Sequence, residues 1–172
     1  MRSAFALVFF LCAAPAYAAT PASSAPPTTQ QAAVAVTGWR LECDPVKTTL
    51  ACHALDNIVQ AQNGALIVGL AISSNADGKA VLTTTVPLGT SVHAAVSVTV
   101  AGGPTQQFPF LTCSQQGCFA TGTINADLLT AMRAAKGNMS VTYGVLDANL
   151  AEHTVTASVS LAGFPAVYDR LK

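Results

Sequence analysis

Charge is scarce in this chain. Only 9% of its 172 residues are Asp, Glu, Lys or Arg, with eight basic and eight acidic residues in all. The few cations are scattered, so the clustered positive charge that replaces phosphate counterions is missing and a nucleic-acid partner is excluded. Aromatics make up 6%, with Trp39 the single tryptophan. No Gly-x-Ser-x-Gly segment occurs, which removes the usual setting of a serine nucleophile. Gly102-Gly103 ends a β-type run but does not open the helix that a phosphate-binding loop requires. No apolar run reaches the roughly 20 residues needed to cross a bilayer, so no integral membrane span is expected.

The N-terminus carries its own signature. Arg2 supplies a positive start, residues 4–12 (AFALVFFLC) are apolar throughout, and Ala16-Tyr17-Ala18 has the small-x-small pattern that signal peptidase reads. Residues 1–18 are therefore expected to be a signal peptide cleaved after Ala18, with Cys12 discarded in its apolar part. Once Arg2 is removed the net charge is −1. Residues 19–37 (ATPASSAPPTTQQAAVAVT) hold no charge and no aromatic. Such a segment cannot bury enough apolar area to offset the entropy of ordering, and reads as a disordered leader. Residues 38–172 are then expected to form a single β-rich domain, long enough to bury a real core.

From Gly38 the texture is one of short β-type runs broken by turn residues. Trp39-Arg40-Leu41-Glu42-Cys43 alternates with the period of a half-buried strand, and Trp39 itself reads as a core residue. Residues 65–72 (ALIVGLAI) suit a central strand. Asn75-Ala76-Asp77-Gly78 then turns the chain into a return strand over 79–86. Residues 91–100 and 106–112 read as further strands, the latter paired with 118–123. Residues 139–146 and 153–161 read as a hairpin around Asp147-Ala148-Asn149.

One helix is expected near 125–136. Asn125 stands at its N-cap, Asp127 in its first turn, Leu128, Leu129 and Met132 form an apolar face, and Gly137 follows as the stop. Residues 165–171 read as one helical turn or two. The fold class is mostly β, an antiparallel β-sandwich or barrel-like arrangement.

Four cysteines remain after the signal peptide: Cys43, Cys52, Cys113 and Cys118. An even number in an exported chain implies disulfides, with three connectivities open to four cysteines. Cys113 and Cys118 flank the short loop Ser114-Gln115-Gln116-Gly117 between two β-type runs, where opposed residues are close enough to bridge. Cys43 and Cys52 bracket Asp44-Pro45, a turn signal. The expected bridges are Cys43–Cys52 and Cys113–Cys118. The gap between Cys43 and Cys52 departs from zinc-knuckle spacing, and no Cys-x-x-Cys redox motif is present.

The titratable residues show no assembled chemistry. His53, His93 and His153 are far apart in sequence, and their spacing does not point to a metal. The carboxylates fall mostly in turns or at the helix start, where solvation or capping accounts for them. No catalytic residue, metal site or cofactor is assigned.

One constellation is more specific. Trp39-x-x-x-Cys43 opens the domain, and Pro87-Leu88-Gly89 follows a β-rich run. Then come Pro109-Phe110-x-x-Cys113-x-x-x-Gly117-Cys118-x-Ala120, a Leu-containing helix closed by Lys136-Gly137, and Ser160-Leu161-Ala162-Gly163-Phe164. The pattern resembles the invasion-associated locus B family of Gram-negative, mainly alphaproteobacterial, envelope proteins, over residues 38–171. The resemblance implies a periplasmic or outer-membrane-associated β-sandwich without known catalysis, in a family named for a member linked to host red-cell entry. The sparse charge and the long Ala/Pro/Thr leader depart from that pattern.

The expected function is that of an exported, non-enzymatic envelope protein, periplasmic or peripherally associated with the outer membrane. It would bind a protein or cell-wall partner through a sheet face or edge, with a link to host-cell interaction implied by the resemblance. Two rivals stand beside it: a hydrolase of an envelope polymer, whose histidine and carboxylate the fold would bring together, and a purely structural periplasmic stress protein.

Overall fold

The computed structural model describes residues 34–36, 38–46 and 49–171. The segment expected as signal peptide, and the leader up to residue 33, lie outside the described residues. In chain order the elements are β1 (Val34–Val36), β2 (Arg40–Val46), β3 (Thr49–Gln60), β4 (Leu66–Ser74), β5 (Ala80–Val86), β6 (Val96–Val100), β7 (Thr105–Phe108), β8 (Phe110–Ser114) and β9 (Gly117–Thr123). Helix α1 (Ala126–Ala134), strands β10 (Asn138–Leu146) and β11 (Glu152–Ser160) and helix α2 (Phe164–Tyr168) complete the fold, with a last helical turn at Asp169–Leu171.

These strands form two antiparallel sheets among the described residues. The larger runs β1-β3-β4-β5-β9-β8, with β2 also pairing β3; the smaller runs β11-β10-β6-β7. Their inner faces share one core. Alternation decides which side chains enter it: Ala80, Leu82, Thr84 and Val86 of β5 are buried, as are Val96, Val98 and Val100 of β6, while the residues between them are not. Phe108 and Phe164 are the largest fully buried side chains. Trp39 is buried as expected, with its ring centroid 4.7 Å from that of Phe164. Polar links cross between the sheets: Trp39 Nε1 donates to the Ser160 carbonyl at 2.8 Å, the Tyr143 hydroxyl to the Ile67 carbonyl at 2.6 Å, and Gln106 Nε2 to the Thr123 carbonyl at 2.8 Å.

The antiparallel β class expected from the turn spacing holds, and so do both helices. Asn125 Oδ1 accepts from the Leu128 amide at 2.7 Å, the expected N-cap. The helix stops short of Gly137, because Ala135 is already extended.

Four local expectations are corrected. Val34–Val36, read as leader, pairs with Ile58–Gln60 of β3; the Val-Ala-Val triplet has strand chemistry and lies where β2 leaves the edge of β3 unoccupied. Asp44-Pro45, read as a turn, lies within β2, with Pro45 opposite Leu50. That edge strand has β3 on one side only, so a residue without an N–H is tolerated. The run 106–112 divides at Pro109, which interrupts the ladder: β7 belongs to the small sheet and β8 to the large one. Residues 91–95 are not strand. The Ser91 amide instead donates to the Gly144 carbonyl at 2.9 Å, and its hydroxyl to Glu152 Oε2 at 3.0 Å, tying the loop to the small sheet.

Candidate functional site

The four cysteines lie on the large sheet. Cys43 is bonded to Cys52 across β2–β3, and Cys113 to Cys118 across β8–β9; both pairs are directly opposed in register, with Cα atoms 4.0 Å apart. Gly117 has φ +136°, and a Cβ there would run into the Val86 carbonyl oxygen, so the turn that closes the second bridge needs glycine.

The histidines are not gathered. His53 lies on β3 opposite Glu42, and His93 is exposed in the loop before β6. His153 Nε2 lies 3.1 Å from Asp147 Oδ2 at an exposed hairpin end. That hydrogen bond, followed by those from the Ala151 and Asn149 amides, holds the Asp147 carboxyl below its ordinary value. Ser91 meets Glu152 but no histidine. Among the described residues no group of three or more His, Cys, Asp or Glu side chains could hold a metal ion, and no helix is long and apolar enough to cross a membrane.

A recess lies on the outer face of the large sheet, with a volume of about 290 Å³. That is near the lower end of the roughly 300–1,000 Å³ typical of ligand sites. Register builds it. Asn57 of β3 pairs with Gly69 of β4, Gly69 with Thr85 of β5, and Thr85 with Phe119 of β9, so these residues form one row across four strands. Alternation turns the row's side-chain positions away from the core, because their neighbours along each strand are buried: Asp56 and Ile58, Val68 and Leu70, Thr84 and Val86, and Cys118 and Ala120.

Gly69 makes the notch. A Cβ there would lie 3.0 Å from the Asn57 side-chain amide and 3.5 Å from Thr85 Cβ, so any side chain would fill the floor. Leu55 and Ala71 extend the floor as the neighbouring register pair, and Gln116 reaches in from the β8–β9 turn. Asn57 is oriented from one side: its amide nitrogen donates to the Asp56 carbonyl at 3.1 Å and its oxygen accepts from Arg40 Nη2 at 3.3 Å. Arg40 is in turn paired with Glu42 at 2.6 Å, which offsets its charge. The Thr85 hydroxyl and the Gln116 side-chain amide make no hydrogen bond with the described protein.

The lining therefore offers uncharged hydrogen-bonding groups beside an aromatic ring, and no acid or base. No residue of this row was marked by a catalytic or metal-binding motif. The one sequence signal was Gly69 inside an otherwise apolar strand, which often marks a close approach to the backbone.

A second recess lies at the β8 edge, lined by Val92, Phe110, Leu111, Thr112 and Cys113, with Leu111 73% exposed. The β8–β9 register shifts between Phe110 and Thr112, a bulge that places Leu111 on the outside.

Known proteins share this architecture. A family model described as invasion associated locus B (IalB) protein matches residues 39–172. Two Brucella abortus proteins, from strain 2308 and from biovar 1 strain 9-941, are each described as an invasion protein B homolog. Each is 27% identical over 134 residues, covering 78% of this chain and 75% of its own length. The crystal structure of invasion associated protein b from Bartonella henselae matches with a TM-score of 0.68 at 24% identity, covering 77% of this chain and 89% of that one, a likeness of fold. The chain belongs to the invasion associated locus B (IalB) family.

Proposed function

We propose that this chain is an exported, non-enzymatic cell-envelope protein that acts by binding. The notch over Gly69 takes a neutral, hydroxyl-rich ligand of the sugar type, presented by a cell-wall polymer. The observation that carries this reading is the uncharged row Asn57–Gly69–Thr85–Phe119. An aromatic face suits the apolar side of a sugar ring. The unengaged Thr85 hydroxyl and Gln116 amide suit its hydroxyls, and the absence of ionisable groups from the lining leaves nothing that favours a charged ligand.

Export is supported by the Arg2, 4–12 and Ala16–Ala18 pattern and by the two disulfides, which suit an oxidising compartment. Placement in the periplasm or against the outer membrane goes with that reading. The relatives carry invasion in their names; a link to host-cell interaction in this chain would use the same surface.

The test is co-sedimentation of the oxidised protein with purified cell-wall sacculi. Wild type is expected to pellet with them. Phe119→Ala, which removes the ring, and Gly69→Val, which fills the floor, are each expected to weaken binding on the order of tenfold, equivalent to ~1.4 kcal/mol. A wild-type protein that stays in solution, or folded variants that pellet equally well, would overturn the proposal.

A further inference from the structure

The large sheet carries the proposed ligand site; the small sheet carries an edge that none of the described residues covers. β11 runs from Glu152 to Ser160 and pairs with β10 along its whole length without a register shift. It contains no proline, glycine, lysine or arginine, and its one carboxylate, Glu152, is its first residue, so Thr154–Ser160 lacks the devices that normally blunt an exposed edge. The other edges are defended: β8 is bulged at Leu111, β7 lies between Pro104 and Pro109, β2 contains Pro45, and β1 has three residues.

The ladder settles which backbone groups face outward. The Asp147 amide donates to the Ala151 carbonyl, and the Leu161 amide to the Gly137 carbonyl, at 3.0 Å each. Antiparallel alternation then directs the odd-numbered residues of β11 toward β10 and the even-numbered ones away from it. The engagement of the Ser160 carbonyl by Trp39 Nε1 fits this parity and closes that end of the edge. The N–H and C=O groups of Thr154, Thr156 and Ser158 are left facing outward.

We infer that β11 is the pairing edge for a second copy of this chain, with the two strands antiparallel about a dyad at Thr156. The pattern is self-complementary. Thr156 faces itself, Thr154 faces Ser158 of the second copy, and six backbone hydrogen bonds close over the three pairs. Val155 faces Ala157 on the inner side. Glu152 falls opposite Ser160, so no like charges meet. Cross-strand hydroxyl contacts are already this fold's habit, at Thr142–Thr156 (3.1 Å), Thr99–Thr105 (2.8 Å) and Thr83–Thr121 (3.0 Å). The result is a two-fold dimer with one continuous small sheet.

Sedimentation equilibrium of the oxidised exported chain tests this, and it is independent of sacculus binding because the notch lies on the other sheet. Wild type is expected at twice the chain mass. Thr156→Pro removes an outward N–H that the monomer does not use, and Thr156→Lys sets like charges face to face at the dyad. Both are expected at the single-chain mass with unchanged circular dichroism; if the proline variant misfolds, the lysine variant carries the test. Thr156→Cys is expected to oxidise to a covalent dimer, whereas Thr154→Cys, opposite Ser158, is not. A wild type at single-chain mass up to its solubility limit, which would leave the edge to some other partner, overturns the inference. So do folded Thr156 variants that remain dimeric, or equal cross-linking from both cysteine positions.

Discussion

The two sheets are held together by different means. The large sheet is irregular: its register shifts between Ile58 and Val59 and again between Phe110 and Thr112, and its outer face is notched at Gly69. It is also the sheet that carries both disulfides, one on β2–β3 near one edge and one on β8–β9 at the other. The small sheet has no disulfide. Its β10–β11 pairing is continuous, and its solvent face is tied by threonine pairs such as Thr142–Thr156. Covalent clips thus sit where the ladder is broken or the strand exposed, and hydrogen bonding suffices where the ladder is regular. The irregular sheet has room for a recess, and the regular sheet offers an edge.

The largest effect is expected from uncoupling the two. Phe108, at the end of β7, is fully buried, and its ring lies against the backbone of Gly122 on the large sheet: a Cβ at that glycine would be 3.2 Å from Phe108 Cδ1. Phe108→Ala is expected to cost about 3–5 kcal/mol in denaturant unfolding, as a large aromatic truncated in a closed core. Because the core is shared, the transition should remain single. Two separate transitions would show that the sheets are independent units.

A smaller effect should follow loss of either clip. Replacing both members of one pair by serine is expected to cost roughly 2–3 kcal/mol. The Cys43–Cys52 pair should be the costlier, because its bridge spans nine residues of sequence against five for Cys113–Cys118. Amide exchange locates the damage: protection should fall on β2 and β3, or on β8 and β9, and stay intact on β10 and β11. Equal loss over both sheets would erase the distinction drawn between them.

What the sequence revealed depended on how local the determining interaction is. Both cysteine pairs could be read because each closes a short hairpin, and the α1 start because Asn125 caps an amide three residues on. The class of fold followed from strand periodicity and turn spacing. The exchange of sheets at Pro109 could not be read, since the run on either side of it has the same β chemistry and only the partner strand differs. Pro45 misled for a related reason: Asp-Pro has turn chemistry, but lying on an edge strand overrides it. The row Asn57–Gly69–Thr85–Phe119 draws its residues from four strands far apart in sequence, so it exists only once the register is set.

The smallest expected effect concerns the hydroxyl that links the sheets. Tyr143 is buried on the small sheet and donates to the Ile67 carbonyl on the large one at 2.6 Å. Tyr143→Phe is expected to cost about 1 kcal/mol near neutral pH, the usual net value of such a bond. The contribution should depend on alkalinity. Desolvation by burial pushes the Tyr143 hydroxyl from 10.0 up to about 12. The folded state therefore keeps its proton where the unfolded chain has begun to lose it. A raised folded pKa of this kind gives stability that is complete below the unfolded value and declines as pH rises from about 10 toward about 12. The difference in stability between wild type and Tyr143→Phe, measured by denaturation at increasing pH, should shrink across that window. A difference that stays constant would show that the hydroxyl proton does not hold the two sheets together, and the link between them would rest on the shared core and on the bonds from Trp39 to Ser160 and from Gln106 to Thr123.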